Sequence, residues 1–179
     1  MAEIKSTLEL VMERTRNLSM SEEDKRKQAA REFNEAVNGL VLKYLDGQTD
    51  LDGFQAELSR LEGGPWARAG AAVEIAMRID PLADNQLLLN VIKYGFGGDI
   101  SGLEALLNHF RRAVKVGIEQ AEERIRVDLL KRGISGSAVI PNLEADKDWT
   151  GRLARMVEAF REKLAWEITQ LRHAIARME

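Results

Sequence analysis

Two long apolar stripes without proline constrain the fold of this chain more than any other feature. Their apolar residues recur every three or four positions, which is typical of one buried face on a long α-helix. At about 30 residues each, the two helices would be about 45 Å long. The first stripe comprises Leu107, Phe110, Val114, Ile118, Ala121, Ile125 and Leu129; the second comprises Trp149, Leu153, Met156, Phe160, Leu164, Ile168, Leu171, Ile175 and Met178.

The similar lengths of these two helices and their adjacency in the sequence predict an antiparallel hairpin. The steps of the first stripe repeat every eleven residues, which favours a nearly straight helix over a left-handed supercoil. We expect the two helices to lie side by side in the manner of a short coiled coil. The long connection between them spans residues 133–147.

Before residue 99 the sequence predicts shorter helices that glycine and proline separate. One of them, from about Pro65 to Ile79, is rich in alanine, and because small side chains allow close backbone approach we expect it in the middle of the packing. The five shorter helices are expected at about 4–18, 22–46, 53–62, 65–79 and 84–94.

Together these patterns predict an all-α protein in which a small N-terminal helical subdomain packs on a long antiparallel two-helix hairpin. The change of character at the glycine-rich break places the boundary between residues 1–98 and 99–179, although the two parts could form one continuous domain. A two-helix rod is too thin to bury both of its faces, so we also expect a second layer. The N-terminal helices would supply part of this layer, and a homodimer through the long helices would supply the rest.

The composition excludes several classes of function. The chain has no cysteine, which excludes disulfides and thiolate metal sites, and its 26 basic and 29 acidic residues are interleaved, which argues against a nucleic-acid partner. No run of about 18 apolar residues predicts a membrane span. Residues 1–16 lack the continuous apolar core of a secretory signal, so we expect a cytoplasmic protein.

The histidines and carboxylates do not form a recognisable catalytic or metal-binding motif. Neither His109 nor His173 has a glutamate three residues before it, so the Glu-x-x-His pairs of di-iron helical bundles are missing. The carboxylates from Asp46 to Glu57 resemble a calcium-binding loop, but no register satisfies all of its requirements. A polar turn with an aspartate helix cap explains them better. We expect no metal, no cofactor and no catalytic residue.

The glycine-rich break at residues 95–99 precedes a helix N-terminus, where backbone N–H groups favour anions. It lacks the remaining parts of either nucleotide-binding fingerprint, and Asp99 would repel phosphate. A hinge with Asp99 or Ser101 as a helix cap is the better interpretation.

The connection at 133–147 is longer than most helix–helix loops and unusually apolar. It either covers the tip of the hairpin, in this molecule or in a dimer mate, or docks on a protein partner as an extended apolar segment. Its candidate partner-binding residues are Ile134, Val139, Ile140, Pro141 and Leu143.

These observations favour a non-enzymatic interaction or assembly module over an enzyme. The expected binding surface is the hairpin loop, a helical face or the charged start of the helix at 22–46. The alternative is a small-molecule-binding protein or enzyme with a pocket between the N-terminal helices and the hairpin. Residues that combine an aromatic surface or a charge with a polar tip are its candidates: Tyr44, Trp66, Arg78 and Tyr94.

Overall fold

The computed structural model describes residues 21–136 and 139–177, and these residues form six α-helices and contain no β-strand. The all-α class is therefore confirmed. The predicted helix at 4–18 and Met178 lie outside the described residues. The helices are α1 (Glu22–Leu45), α2 (Leu51–Ser59), α3 (Pro65–Ala76), α4 (Gln86–Asn90), α5 (Ser101–Lys131) and α6 (Lys147–Ala176), and one π-helical turn (Val91–Gly95) follows α4.

Local capping explains where the long helices stop and start. α5 ends where Gly133 adopts a φ of +72°, which allows the Ile134 N–H to donate to the Leu129 carbonyl at 3.0 Å. α6 starts after Asp146, whose carboxylate accepts from the backbone N–H groups of Asp148 and Trp149. Both ends lie within one or two residues of the positions that the sequence predicts.

The contacts between α5 and α6 show that the two helices run in opposite directions. Phe110 meets Phe160 edge to face, with ring centroids 5.3 Å apart, and further along α5 the Gln120 Oε1 accepts from Arg152 at 2.9 Å. Residues further along α5 thus contact residues nearer the start of α6. The pair is antiparallel, as the sequence predicts.

The alanine-rich helix α3 lies in the middle of the packing, where it contacts α1, α4, the π-helical turn and α6. Its small buried side chains, among them Ala69, Ala72 and Ala76, allow this close approach. The resulting core is continuous from Phe33 on α1 to Ile175 on α6. The proposed boundary between residues 98 and 99 therefore crosses a shared core, and the division into two domains stays a prediction.

The short connection before α4 is held by one buried amide. Asn85 is 2% exposed, its Oδ1 accepts from the Asp80 N–H at 3.0 Å, and its Nδ2 donates to the carbonyls of Asp80 and Ala83. Both ends of the amide are thus satisfied, as burial of a polar side chain requires. This residue fixes the turn that leads from α3 into α4.

We expect Gly117→Ala to raise the free energy of unfolding less than Gly151→Ala does, although each substitution improves helix propensity by up to about 1 kcal/mol. A Cβ at Gly117 would lie 2.6 Å from the Trp149 ring, whereas a Cβ at Gly151 would meet only the end of Arg155, at 3.8 Å. Because Trp149 is buried, it has to shift to admit the methyl group. Chemical denaturation of the two variants checks this order, and an equal gain in both would contradict the tight Gly117–Trp149 contact.

Candidate interaction surface

An apolar groove lies between α5 and α6 and is lined by residues of these two helices only; we call it the hairpin groove. It consists of two adjoining depressions of about 130 and 330 Å³, which share Leu106 and Lys163. The remaining lining residues are His109, Phe110, Ala113, Met156, Ala159 and Phe160 in the first depression and Gly102, Ala105, Trp166 and Glu167 in the second.

Trp166 is the largest exposed apolar side chain of this groove, with 62% of its surface accessible to solvent. The polar groups that line the groove are a single imidazole, a single ammonium group and a single carboxylate, on His109, Lys163 and Glu167. Apolar surface with a few polar groups at its edge is typical of a binding surface. The groove has this composition.

A row of exposed side chains follows the outer edge of the groove along α6; we call it the α6 row. Its members are separated by three, four, three and four residues, so they share one side of the helix. All of them are exposed, and two of them, Ala159 and Trp166, also line the groove. The α6 row comprises Arg152, Arg155, Ala159, Glu162 and Trp166.

Electrostatic contacts hold the tip of the hairpin together. Asp146 forms an ion pair with Arg124 and caps α6. The N–H of Trp149 and the guanidinium of Arg124 hold the pKa of Asp146 below its ordinary value, and the hydrogen bond to Asp146 raises the pKa of Arg124. The start of α6 is thus tied to the last third of α5.

The hairpin loop folds partly back on α5, and among its described residues Ile134 and Ile140 are exposed to solvent. Ile134 and Val139 line a depression of about 200 Å³ together with Leu129 and Leu130 of α5. The other candidates diverge: Pro141 is buried, Leu143 is half-buried, and Ile140 is 86% exposed. The described part of the loop therefore covers the tip of the hairpin in part and also presents apolar side chains to solvent.

None of the four pocket candidates lines any of the three depressions described above. Tyr44 is buried against Phe54, and Arg78 donates to Asn38 Oδ1 at 2.6 Å. The other two are exposed on the surface, each near a cation: Trp66 near Arg172, 6.0 Å from its ring, and Tyr94 near Lys93, 5.1 Å from its ring. A pocket built from these residues stays a prediction.

The acidic turn between α1 and α2 serves as a helix cap. Asp50 Oδ1 accepts from the Gly53 N–H at 2.8 Å, and Glu57 pairs with Lys43 at 3.5 Å. Within residues 21–136 and 139–177 no group of three or more histidine and carboxylate side chains is placed to hold a metal ion. The geometry agrees with a polar turn whose aspartate caps α2.

At the glycine-rich break before α5, the prediction that Asp99 or Ser101 is the helix cap is wrong: Ile100 holds the cap position and makes no side-chain hydrogen bond to the first turn, and Asp99 lies one residue before it. Asp99 Oδ1 accepts from the Ser101 N–H at 2.9 Å, and this bond, together with the Ser101 hydroxyl, holds the pKa of Asp99 below its ordinary value. A carboxylate therefore occupies the helix start where an anion would have to bind.

The two histidines are not brought together. His109 lines the groove together with Ala159 of α6, whereas His173 lies about 14 residues, or roughly 20 Å, further along α6 than Ala159.

The described residues thus form an all-α protein in which an apolar groove runs along a long antiparallel hairpin. Comparison with protein families, curated proteins and solved structures finds no match for this chain. In the part of the chain that the structure describes, none of the helices is both long enough and apolar enough to cross a bilayer.

Proposed function

We propose that this chain is a non-enzymatic, cytoplasmic protein–protein interaction or assembly module that binds its partner along the hairpin groove. The observation that carries the proposal is the exposed Trp166 beside a continuous apolar groove between two long helices. Tryptophan is over-represented among the residues that dominate binding energy, because it buries a large apolar surface at a small entropic cost. A large apolar side chain on an open groove is thus suited to an interface.

The hairpin loop is a second element of this proposed surface. Ile140 stands in solvent at the tip of the hairpin, where it could contact the same partner or a different one. The alternative function, a small-molecule binder or enzyme, has less support because the described depressions are open and none of the four pocket candidates lines one of them.

We expect Trp166→Glu to abolish retention of a partner that the wild-type chain retains, because a buried carboxylate would cost more than the lost apolar contact. Trp66→Glu is the matched control, since Trp66 is equally exposed (67%) but lies at the start of α3. Proteins retained by the three immobilised chains are quantified by mass spectrometry. Ile140→Asp in the same assay separates the loop from the groove.

The comparison between the two tryptophan variants decides the outcome. Loss with Trp166→Glu and retention with Trp66→Glu would support the groove as the binding surface. If all three chains retain the same proteins in the same amounts, the proposed function is wrong.

A further inference from the structure

The α6 row has an ordered distribution of charge. Two arginines, Arg152 and Arg155, precede the small central residue Ala159, and Glu162 and Trp166 follow it. The row is thus basic on one side of its centre and acidic and aromatic on the other. Within residues 21–136 and 139–177, neither Arg155 nor Glu162 belongs to an ion pair.

We propose that the partner bound by this surface is a second copy of the chain, with the two α6 helices antiparallel and a two-fold axis at Ala159. This inference rests on the proposed function, because it names the occupant of the same surface. In a two-fold interface each contact occurs twice, with residue i meeting residue j and j meeting i. A surface that binds itself therefore needs complementary groups at equal distances from its centre.

The α6 row meets this requirement. Arg155 lies four residues before Ala159 and Glu162 three residues after it, so each arginine faces the glutamate of the second copy within about one residue rise of 1.5 Å. Arg152 and Trp166 lie seven residues before and after the centre, which places each guanidinium over the indole of the second copy. The pairing thus yields two ion pairs and two cation–π contacts.

The central position of Ala159 permits the close approach that these contacts need. Helices with small residues at the crossing point pack with axes about 8–10 Å apart. A parallel arrangement of the same row would instead place Arg152 and Arg155 against their own copies, where like charges repel. The charge order therefore selects the antiparallel pair, and self-complementarity of this kind favours a second copy over a foreign helix.

A single cysteine tests the position of the axis, because the natural chain contains none. With helix axes about 9–10 Å apart, two facing Cα atoms at position 159 lie about 4.4–5.4 Å apart, within the range of about 4.4–6.8 Å that a disulfide allows. We expect Ala159→Cys to form a covalent dimer under mild oxidation, as judged by non-reducing electrophoresis. Ala154→Cys, also exposed but about 140° around the same helix, should remain monomeric on the gel.

Reversal of charge tests the pairing itself. We expect Arg155→Glu to weaken the dimer at least about tenfold, because it places two carboxylates together on each side of the axis. The double variant Arg155→Glu/Glu162→Arg should restore the dissociation constant to within about threefold of the wild type, because the pairs are re-formed with exchanged partners. Analytical ultracentrifugation measures these constants, and circular dichroism verifies that each variant is helical.

The outcomes separate this inference from the proposed function. A wild-type chain that stays monomeric at every concentration, or equal cross-linking of Ala159→Cys and Ala154→Cys, overturns the two-fold pairing. If Trp166→Glu still loses a foreign partner in that case, the proposed function stands with a different occupant. If neither dimer formation nor binding of a foreign partner depends on Trp166, the two-fold pairing and the proposed function are both wrong.

Discussion

Replacement of Phe160 by alanine should lower the free energy of unfolding by about 3–5 kcal/mol. Phe160 is 3% exposed and packs edge to face against Phe110, so it joins the two long helices at the level of the hairpin groove. Truncation removes this aromatic contact and leaves a cavity that two long helices cannot close without bending. Denaturation followed by circular dichroism at a fixed protein concentration measures the loss.

Trp166→Ala is the matched control for this prediction. Trp166 lies six residues further along the same helix but is exposed, so its truncation should change the stability of the monomer, measured below the dissociation constant of the proposed dimer, by no more than about 0.5 kcal/mol. Similar losses for the two variants would contradict the assignment of Phe160 to the core and Trp166 to the surface.

The architecture could be predicted from the sequence because the long helices carry their own signals. The stripe that contains Phe110 is continuous over about six turns and the stripe that contains Phe160 over about eight, and Gly133 marks the end of the first. The prediction of one helix at 84–94 is less accurate, since the structure has α4 and a π-helical turn in this range. That irregularity depends on tertiary packing, which a periodic pattern does not contain.

The close approach of Gly95 to Phe54 explains why the sequence pattern does not predict this turn. A Cβ at Gly95 would lie 2.7 Å from the ring of Phe54, 41 residues earlier in the chain. Beyond the π-helical turn, the Gly98 N–H donates to the Ile92 carbonyl at 3.1 Å. Such long-range contacts become visible only when the helices are placed in space.

The candidate site was predicted only in part. The loop candidates were identified from their length and apolar character, but the hairpin groove was not, because it depends on how α5 and α6 are rotated against each other. One signal was available: Trp166 lies between the stripe residues Leu164 and Ile168 and therefore on a different side of the helix. A tryptophan outside the buried stripe of a long helix predicts an exposed aromatic surface.

Replacement of Phe54 by alanine should also cost about 3–5 kcal/mol. Phe54 is fully buried, its ring centroid lies 5.8 Å from that of Tyr44, and it packs against Gly95, so it connects α1, α2 and the π-helical turn. Its loss therefore weakens the part of the chain that precedes the hairpin. Chemical denaturation followed by circular dichroism measures the change.

The same variant tests whether residues 1–98 and the hairpin unfold together. The buried core extends from α1 to α6 without a break, so one cooperative transition is expected. Trp149 is the buried tryptophan among the described residues, whereas Trp66 and Trp166 are exposed, and its fluorescence reports on the hairpin. We expect Phe54→Ala to shift the fluorescence transition and the circular dichroism transition by the same amount, although Phe54 and Trp149 lie on different sides of the predicted boundary. An unshifted fluorescence midpoint would instead establish two domains that unfold independently, because only separate cores allow one part to lose stability while the other keeps it.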